Sequence, residues 1–102
     1  NSDYGSDLVF ITRGQSTAAT EKLRITSTGI VQPGTDNSQD LGSISKRWAN
    51  IYSADLQLSN EGSQNDVDGS WGSYTMQEGE SDLFLINRRT GKKYKFMLEE
   101  VS

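Results

Sequence analysis

Short apolar runs separated by polar, glycine-rich stretches fill this chain, and the period of two within the runs predicts β-strands. Residues 7–13 carry apolar side chains on both faces, which is typical of a strand that is buried on two sides. Residues 21–26 alternate more cleanly, with Leu23 and Ile25 on one face and mainly charged side chains on the other. Shorter strands are predicted at 30–32 and 54–59.

The C-terminal third predicts a β-hairpin over residues 82–101. Two strand-like segments, 82–88 and 92–101, flank the sequence Arg89-Thr90-Gly91. A short connection that contains glycine is the ordinary link between two antiparallel strands.

One segment has helical rather than strand spacing. Ile44, Trp48, Ile51 and Tyr52 recur at the intervals of one helix face, and Ser43 is a suitable N-cap residue. The spacing predicts a short helix near 44–52, with Trp48, Ile51 and Tyr52 as structural anchors that hold this segment against the β-structure.

These elements divide the chain into three parts: an N-terminal β-strand segment (1–32), a connector made of a turn and the short helix (33–53), and a C-terminal β region with the hairpin (54–102). Pro33-Gly34 opens the connector and fits a type II turn, in which glycine supplies a positive φ. The predicted fold class is therefore mainly β.

The composition provides few apolar residues from which a single chain could build its own hydrophobic core. Of 102 residues, only 21 are Leu, Ile, Val or Phe, close to the level of about 20% below which chains tend to stay disordered. Such a chain is better suited to an oligomer in which several copies share one core.

Several classes of function are disfavoured. The absence of cysteine excludes disulfides and thiolate metal sites, and the absence of histidine removes the commonest general base. The net charge of −4 argues against nucleic-acid binding, and the longest apolar run of four residues is far short of the ~18 that a membrane span needs. We expect no enzyme activity, no cofactor and no membrane insertion.

Two groups are candidates for contact with a receptor. Trp71 and Tyr74 lie in a Gly/Ser-rich stretch, where aromatic rings can stack on sugars or fill an interface between copies. Four basic residues near the hairpin tip suit an anionic surface glycan. They are Arg88, Arg89, Lys92 and Lys93. Alternatively, these charges prevent edge-to-edge aggregation or pair with the acidic residues at 78–82.

Acidic clusters offer weaker candidates. Asp36 with Asp40, and Asp66 with Asp68, form oxygen-rich loops, but neither loop has the ligand spacing of an EF-hand, and metal binding there stays open. Glu78, Glu80 and Asp82 alternate on a segment expected to be extended, so they favour a solvent-facing edge over the paired carboxylates of a glycosidase.

The strings DNSQDLGSISKRWANIYSADLQLSN and EGESDLFLINRRTGKKYKF resemble segments of tailed-bacteriophage tail-fibre and virion structural proteins of the marine or cyanophage type, notably their C-terminal regions. The resemblance implies a homotrimer about a long axis, located in the virion as part of a phage tail or surface appendage. Its implied partners are other virion proteins and a host-surface glycan. The chain would be a matured C-terminal piece or a short independent protein.

A small extracellular carbohydrate-binding β-sandwich is the alternative. That fold predicts about seven strands at intervals of 8–12 residues, whereas five or six unevenly spaced strands are predicted here. A polysaccharide depolymerase is a third class, disfavoured because no convincing acid pair or cleft is indicated.

Overall fold

In a computed structural model, which describes residues 5–102, the chain is all-β and divides into two compact units, with the boundary in the sequence between Ala49 and Asn50. The mainly β prediction is thus confirmed. No helix capable of crossing a bilayer occurs in the part of the chain that is described.

The first unit contains a three-stranded antiparallel sheet in the order β1-β2-β3. Its strands are β1 (Leu8–Thr12), β2 (Thr20–Ile25) and β3 (Val31–Pro33). The register pairs Leu8 with Ile25 and Ile25 with Val31, and a bulge after Phe10 shifts the last two pairs of β1. These bounds lie within one residue of the predicted strands because the alternating pattern marks them clearly.

Pairing and alternation place most apolar residues of this sheet on one side, while Val9 lies on the other side with Arg24. We call the apolar side the first apolar face; it consists of Leu8, Phe10, Leu23, Ile25, Val31 and Pro33. The opposite side carries Arg24, whose guanidinium binds the carboxylates of Asp7 and Glu21. Hydrogen bonds from Arg24 lower the pKa of both carboxyl groups.

The predicted type II turn at Pro33-Gly34 is wrong. Pro33 ends β3, and Gly34 does not adopt the positive φ that such a turn needs. Glycine is required at this position for a different reason, because a Cβ would lie 2.0 Å from the backbone oxygen of Glu21. The Gly34 amide donates a hydrogen bond to the oxygen of Lys22 at this close approach.

The second unit contains a four-stranded antiparallel sheet in the order β4-β5-β6-β7. Its strands are β4 (Leu56–Ser59), β5 (Ser73–Glu78), β6 (Leu83–Asn87) and β7 (Lys93–Lys95). The predicted hairpin is confirmed as β6 and β7, although β7 is only three residues long. Strand β5, which forms the centre of the sheet with β6, was not predicted.

Most apolar residues of this sheet lie on one side, which we call the second apolar face, whereas Phe84 and Ile86 lie on the other. The second apolar face consists of Leu56, Leu58, Tyr74, Met76, Leu83, Leu85 and Tyr94. The opposite side carries Thr75 and Ile86, which are directly paired and are buried to 0% and 8% exposure. The Thr75 hydroxyl donates to the Gln57 amide oxygen (2.7 Å) and accepts from Arg88 Nε (3.0 Å), so long polar side chains cover this side.

The predicted helix at 44–52 is wrong, since no helix forms among the described residues. Ser43 does accept a hydrogen bond at its Oγ from the Lys46 amide (3.1 Å), as a helix cap would, but paired backbone bonds between the same two residues close a tight turn instead. A helix of two turns needs packing partners to be stable. Here Ile44 and Tyr52 are 96% and 93% exposed, so that support is missing.

The three residues predicted to be structural anchors are largely exposed in the single chain, with Trp48 at 63%, Ile51 at 73% and Tyr52 at 93%.

Candidate binding site

The candidate site is a groove at the end of the four-stranded sheet where the hairpin turn approaches the segment before β5. The groove measures about 470 Å³, and its walls include Leu58, Asn60, Asp68, Trp71 and Tyr74. A second groove of about 330 Å³ continues past Trp71 and Tyr74 to Asn87 and Arg89.

Asn87 shapes the hairpin turn. Its side-chain oxygen accepts hydrogen bonds from the amides of Arg89 (2.9 Å) and Thr90 (3.2 Å), and its backbone oxygen accepts from the amide of Gly91 (2.7 Å). Gly91 has a φ of 78°, a conformation that glycine adopts without the Cβ penalty. The Asn87 amide also donates to the Tyr74 hydroxyl (3.3 Å), so the turn and the central strand β5 are tied together.

This turn places Arg89 on Trp71. The guanidinium carbon lies 3.8 Å from the centroid of the indole ring, a cation–π contact, and Arg89 Nη1 donates to the backbone oxygen of Trp71 (2.9 Å). Arg89 thus holds the half-buried indole in position. Within the chain, Arg89 therefore uses Nη1 and one face of its guanidinium.

The wall opposite the hairpin is the loop between β4 and β5, which closes on itself through hydrogen bonds. The Asn65 side-chain oxygen accepts from the amides of Val67 and Asp68, while its amide group donates to Asp68 and Ser70. Hydrogen bonds from Ser70 and Asn65 lower the pKa of Asp68 to about 2. Asn60 joins the loop ends, because its side-chain oxygen accepts from the Gly72 amide at 2.7 Å.

The structure brings together three of the six residues that were candidates for receptor contact, namely Trp71, Tyr74 and Arg89. Arg88 lies on the other side of the sheet, where it binds Thr75, and Lys93 pairs with Ile86 on that same side. Lys92 is exposed near the turn, where its amide donates to the Thr90 hydroxyl. The six residues do not form one surface.

The acidic residues at 78–82 take a different arrangement from the predicted extended edge. Glu78 ends β5, and the Gly79 amide then bonds the Asp82 oxygen (2.8 Å) to close the turn into β6. Between residues 5 and 102, no ion pair connects these carboxylates with the hairpin basics, since the ion pairs found involve Arg24.

The metal hypotheses gain no support. The Asp68 oxygen Oδ1 accepts from Asn65 and Ser70, as the turn reading of that loop requires. Asp36 and Asp40 lie in an exposed loop. Within the described residues, no three carboxylates are grouped so that they could hold an ion together.

Sequence reasoning missed the polar groups that position the aromatic residues. Asn60 and Asn87 each join segments separated along the chain, and their roles depend on the pairing of β5, which was not predicted. The chemistry available in the groove is that of a binding site: an indole and a phenol ring flanked by amide and carboxylate side chains, which suits a carbohydrate.

Comparisons of this chain with protein-family models, with curated proteins and with solved structures found no match.

Proposed function

We propose that the chain is a structural component of a phage virion, a segment of a homotrimeric tail fibre or spike that supports or makes attachment to the host surface. The observation that carries the proposal is that each sheet presents an apolar face which its own unit leaves partly exposed, with Leu8 at 56% on the first face and Leu58 at 49% on the second. Three copies that share these faces would form the core that the single chain lacks.

The second sheet makes this argument most clearly. Its polar side is covered, with Thr75 and Ile86 buried, whereas Leu56, Leu58 and Tyr94 on the apolar face are each 49% exposed. A monomer in water has the opposite distribution, because burying apolar surface is the main favourable contribution to folding. The exposed residues of the apolar face therefore favour association with another copy of the chain.

The surface area leads to the same proposal. The chain exposes 9434 Å² at a mass of 11.3 kDa. Even two separate folded proteins of half that mass would together expose only about 6,900 Å². The excess of more than about 2,000 Å² is surface that compact proteins of this mass bury, and association with other copies would cover it.

The fibre identity rests on the resemblance of residues 21–102 to fibre proteins, above all at 40–58 and 80–96. Short strands, wide polar loops and faces completed by neighbouring copies suit an elongated assembly of that kind.

The test is to locate the protein on phage particles. Antibodies raised against the chain are expected to decorate tail fibres or spikes in electron micrographs and to reduce adsorption of the phage to its host. Antibodies against an unrelated capsid protein are the control and should label heads without blocking adsorption. Absence of the chain from particles would contradict the proposal.

A small carbohydrate-binding module is the second candidate, and the groove beside Trp71 and Tyr74 favours it. The number of strands also favours the module, because seven strands are described where five or six were predicted, and a β-sandwich of this kind has about seven. Their spacing is uneven. This candidate requires a chain that is stable as a monomer and binds glycans in that form. Glycan-array binding by a monomeric fraction would support it over the fibre.

A further inference from the structure

The segment from Leu41 to Tyr52 has an ordered start that fixes one aromatic side chain. Gly42 adopts a φ of 87°, and Ser43 and Lys46 exchange backbone hydrogen bonds of 3.0 and 3.2 Å in the tight turn that follows. The Trp48 ring lies against this turn, since a Cβ on Gly42 would be 3.4 Å from its Cδ1 atom. Trp48 is thus held in place while most of its surface faces outward.

In the rest of the segment, the backbone lacks hydrogen-bond partners and the apolar side chains lack packing partners within residues 5–102. Residues 47–54 make no backbone–backbone hydrogen bond with any described residue. The apolar side chains are exposed as well, with Ile44, Trp48 and Tyr52 at 96%, 63% and 93%. Unpaired backbone and exposed apolar side chains are features through which one chain associates with another.

Another copy of this chain is a better binding partner for the segment than a sugar or an unrelated protein. A sugar site needs polar groups that converge around one or two rings, whereas this segment presents several apolar side chains within twelve residues. Each copy carries two partly exposed apolar faces and more than about 2,000 Å² of excess surface. The second and third copies therefore bring apolar surface on which the segment of the first copy can pack.

We propose that residues 41–52 are an inter-chain element, in which Ile44, Trp48 and Tyr52 of one copy pack against the other two copies of a trimer. This inference rests on the proposed homotrimer. It assigns a role to the segment that was expected to be a helix, and it assigns the predicted anchoring by Trp48 to contacts between copies.

The experiment uses Trp48 as its own probe. Trp48 and Trp71 are the two tryptophans of the chain, so Trp71→Phe leaves Trp48 as the sole indole. Emission wavelength and acrylamide quenching of this variant are measured on the full chain, with its mass determined on the same sample by light scattering. We expect a trimeric mass, blue-shifted emission and quenching reduced several-fold relative to free tryptophanamide.

The outcomes separate this inference from the proposed function. A trimer in which Trp48 is quenched as freely as tryptophanamide overturns the inference and leaves the fibre proposal standing. A monomer at micromolar concentration overturns both. A trimer with protected Trp48 supports both.

A pair of truncations gives an independent measurement. Trp48→Ala is expected to raise the midpoint concentration for dissociation at least tenfold, whereas Trp48→Phe, which keeps a ring, should retain most of the association. Val67→Ala is the matched control, because Val67 is 95% exposed at the tip of another loop. Equal dissociation of Trp48→Ala and Val67→Ala would contradict the inter-chain role.

Discussion

Truncation of Leu56 tests whether the second apolar face is covered by other copies. Leu56 lies on β4 opposite Met76, and 49% of it remains exposed in the single chain. Fully burying a leucine side chain contributes about 1.5–3 kcal/mol, so covering the exposed half would contribute about 0.7–1.5 kcal/mol in each copy. Across three copies, Leu56→Ala should weaken trimer formation by about 2–4.5 kcal/mol, which is roughly 30- to 1,600-fold in the association constant.

Sedimentation velocity over a range of concentrations measures this constant directly. Glu61→Ala is the matched control, since Glu61 follows the same strand, is exposed, and makes no side-chain hydrogen bond or ion pair with a described residue. The control should leave both the stability of the chain and its association unchanged. If Leu56→Ala associates as tightly as Glu61→Ala, the apolar face is not an interface and the reasoning from it fails.

Three further outcomes follow from local geometry. Gly34→Ala should lower the thermal stability of the first unit by several degrees or more, because its Cβ would lie 2.0 Å from a backbone oxygen of β2; unchanged melting in calorimetry would refute that close approach. The folded-state pKa of Asp68 is about 2, below its usual 3.8. The stabilisation that Asp68 gives the 65–70 loop should therefore be complete above pH 4 and lost as the pH falls through 2. Carboxyl shifts and amide exchange measured by NMR would follow this loss, and titration of Asp68 near 3.8 would contradict it. Arg89→Ala should shift the indole N–H resonance of Trp71 and speed its exchange with water, because the guanidinium that covers the ring is removed; an unchanged resonance would mean that the stacking does not persist in solution.

Simple alternation was sufficient to locate the strands whose neighbours in sequence are turns. The segments around Leu23 and around the β6–β7 hairpin show a period of two that is bounded by glycine or polar residues, and their strands were predicted within one or two residues at β2 and β6. Strand β7 ends earlier than predicted, at Lys95, although the Phe96 amide still bonds the Leu83 oxygen (2.9 Å).

Strand β5 was missed because its apolar–polar alternation is short and the residues on either side of it are typical of loops. Tyr74 and Met76 alternate with hydroxyl and amide residues, but a Gly/Ser run precedes them and acidic residues follow. The helix at 44–52 was predicted for the converse reason, since apolar spacing on its own does not say whether a surface exists for that face to pack on.

The candidate site depended on the same missing strand. Trp71, Tyr74 and Arg89 were selected by residue type, and the pairing of β5 with β6 brings them together. The side of the sheet on which Arg88 lies follows from the register of that pairing, which the sequence alone does not indicate.

The association of three chains is tested most directly by light scattering after size exclusion of the full chain at micromolar concentration. We expect a mass three times the 11.3 kDa of the chain. We also expect unfolding and dissociation to occur in one transition whose midpoint rises with protein concentration. A monomer of 11.3 kDa that unfolds cooperatively, with a midpoint independent of concentration, would contradict the shared core and favour the carbohydrate-binding module.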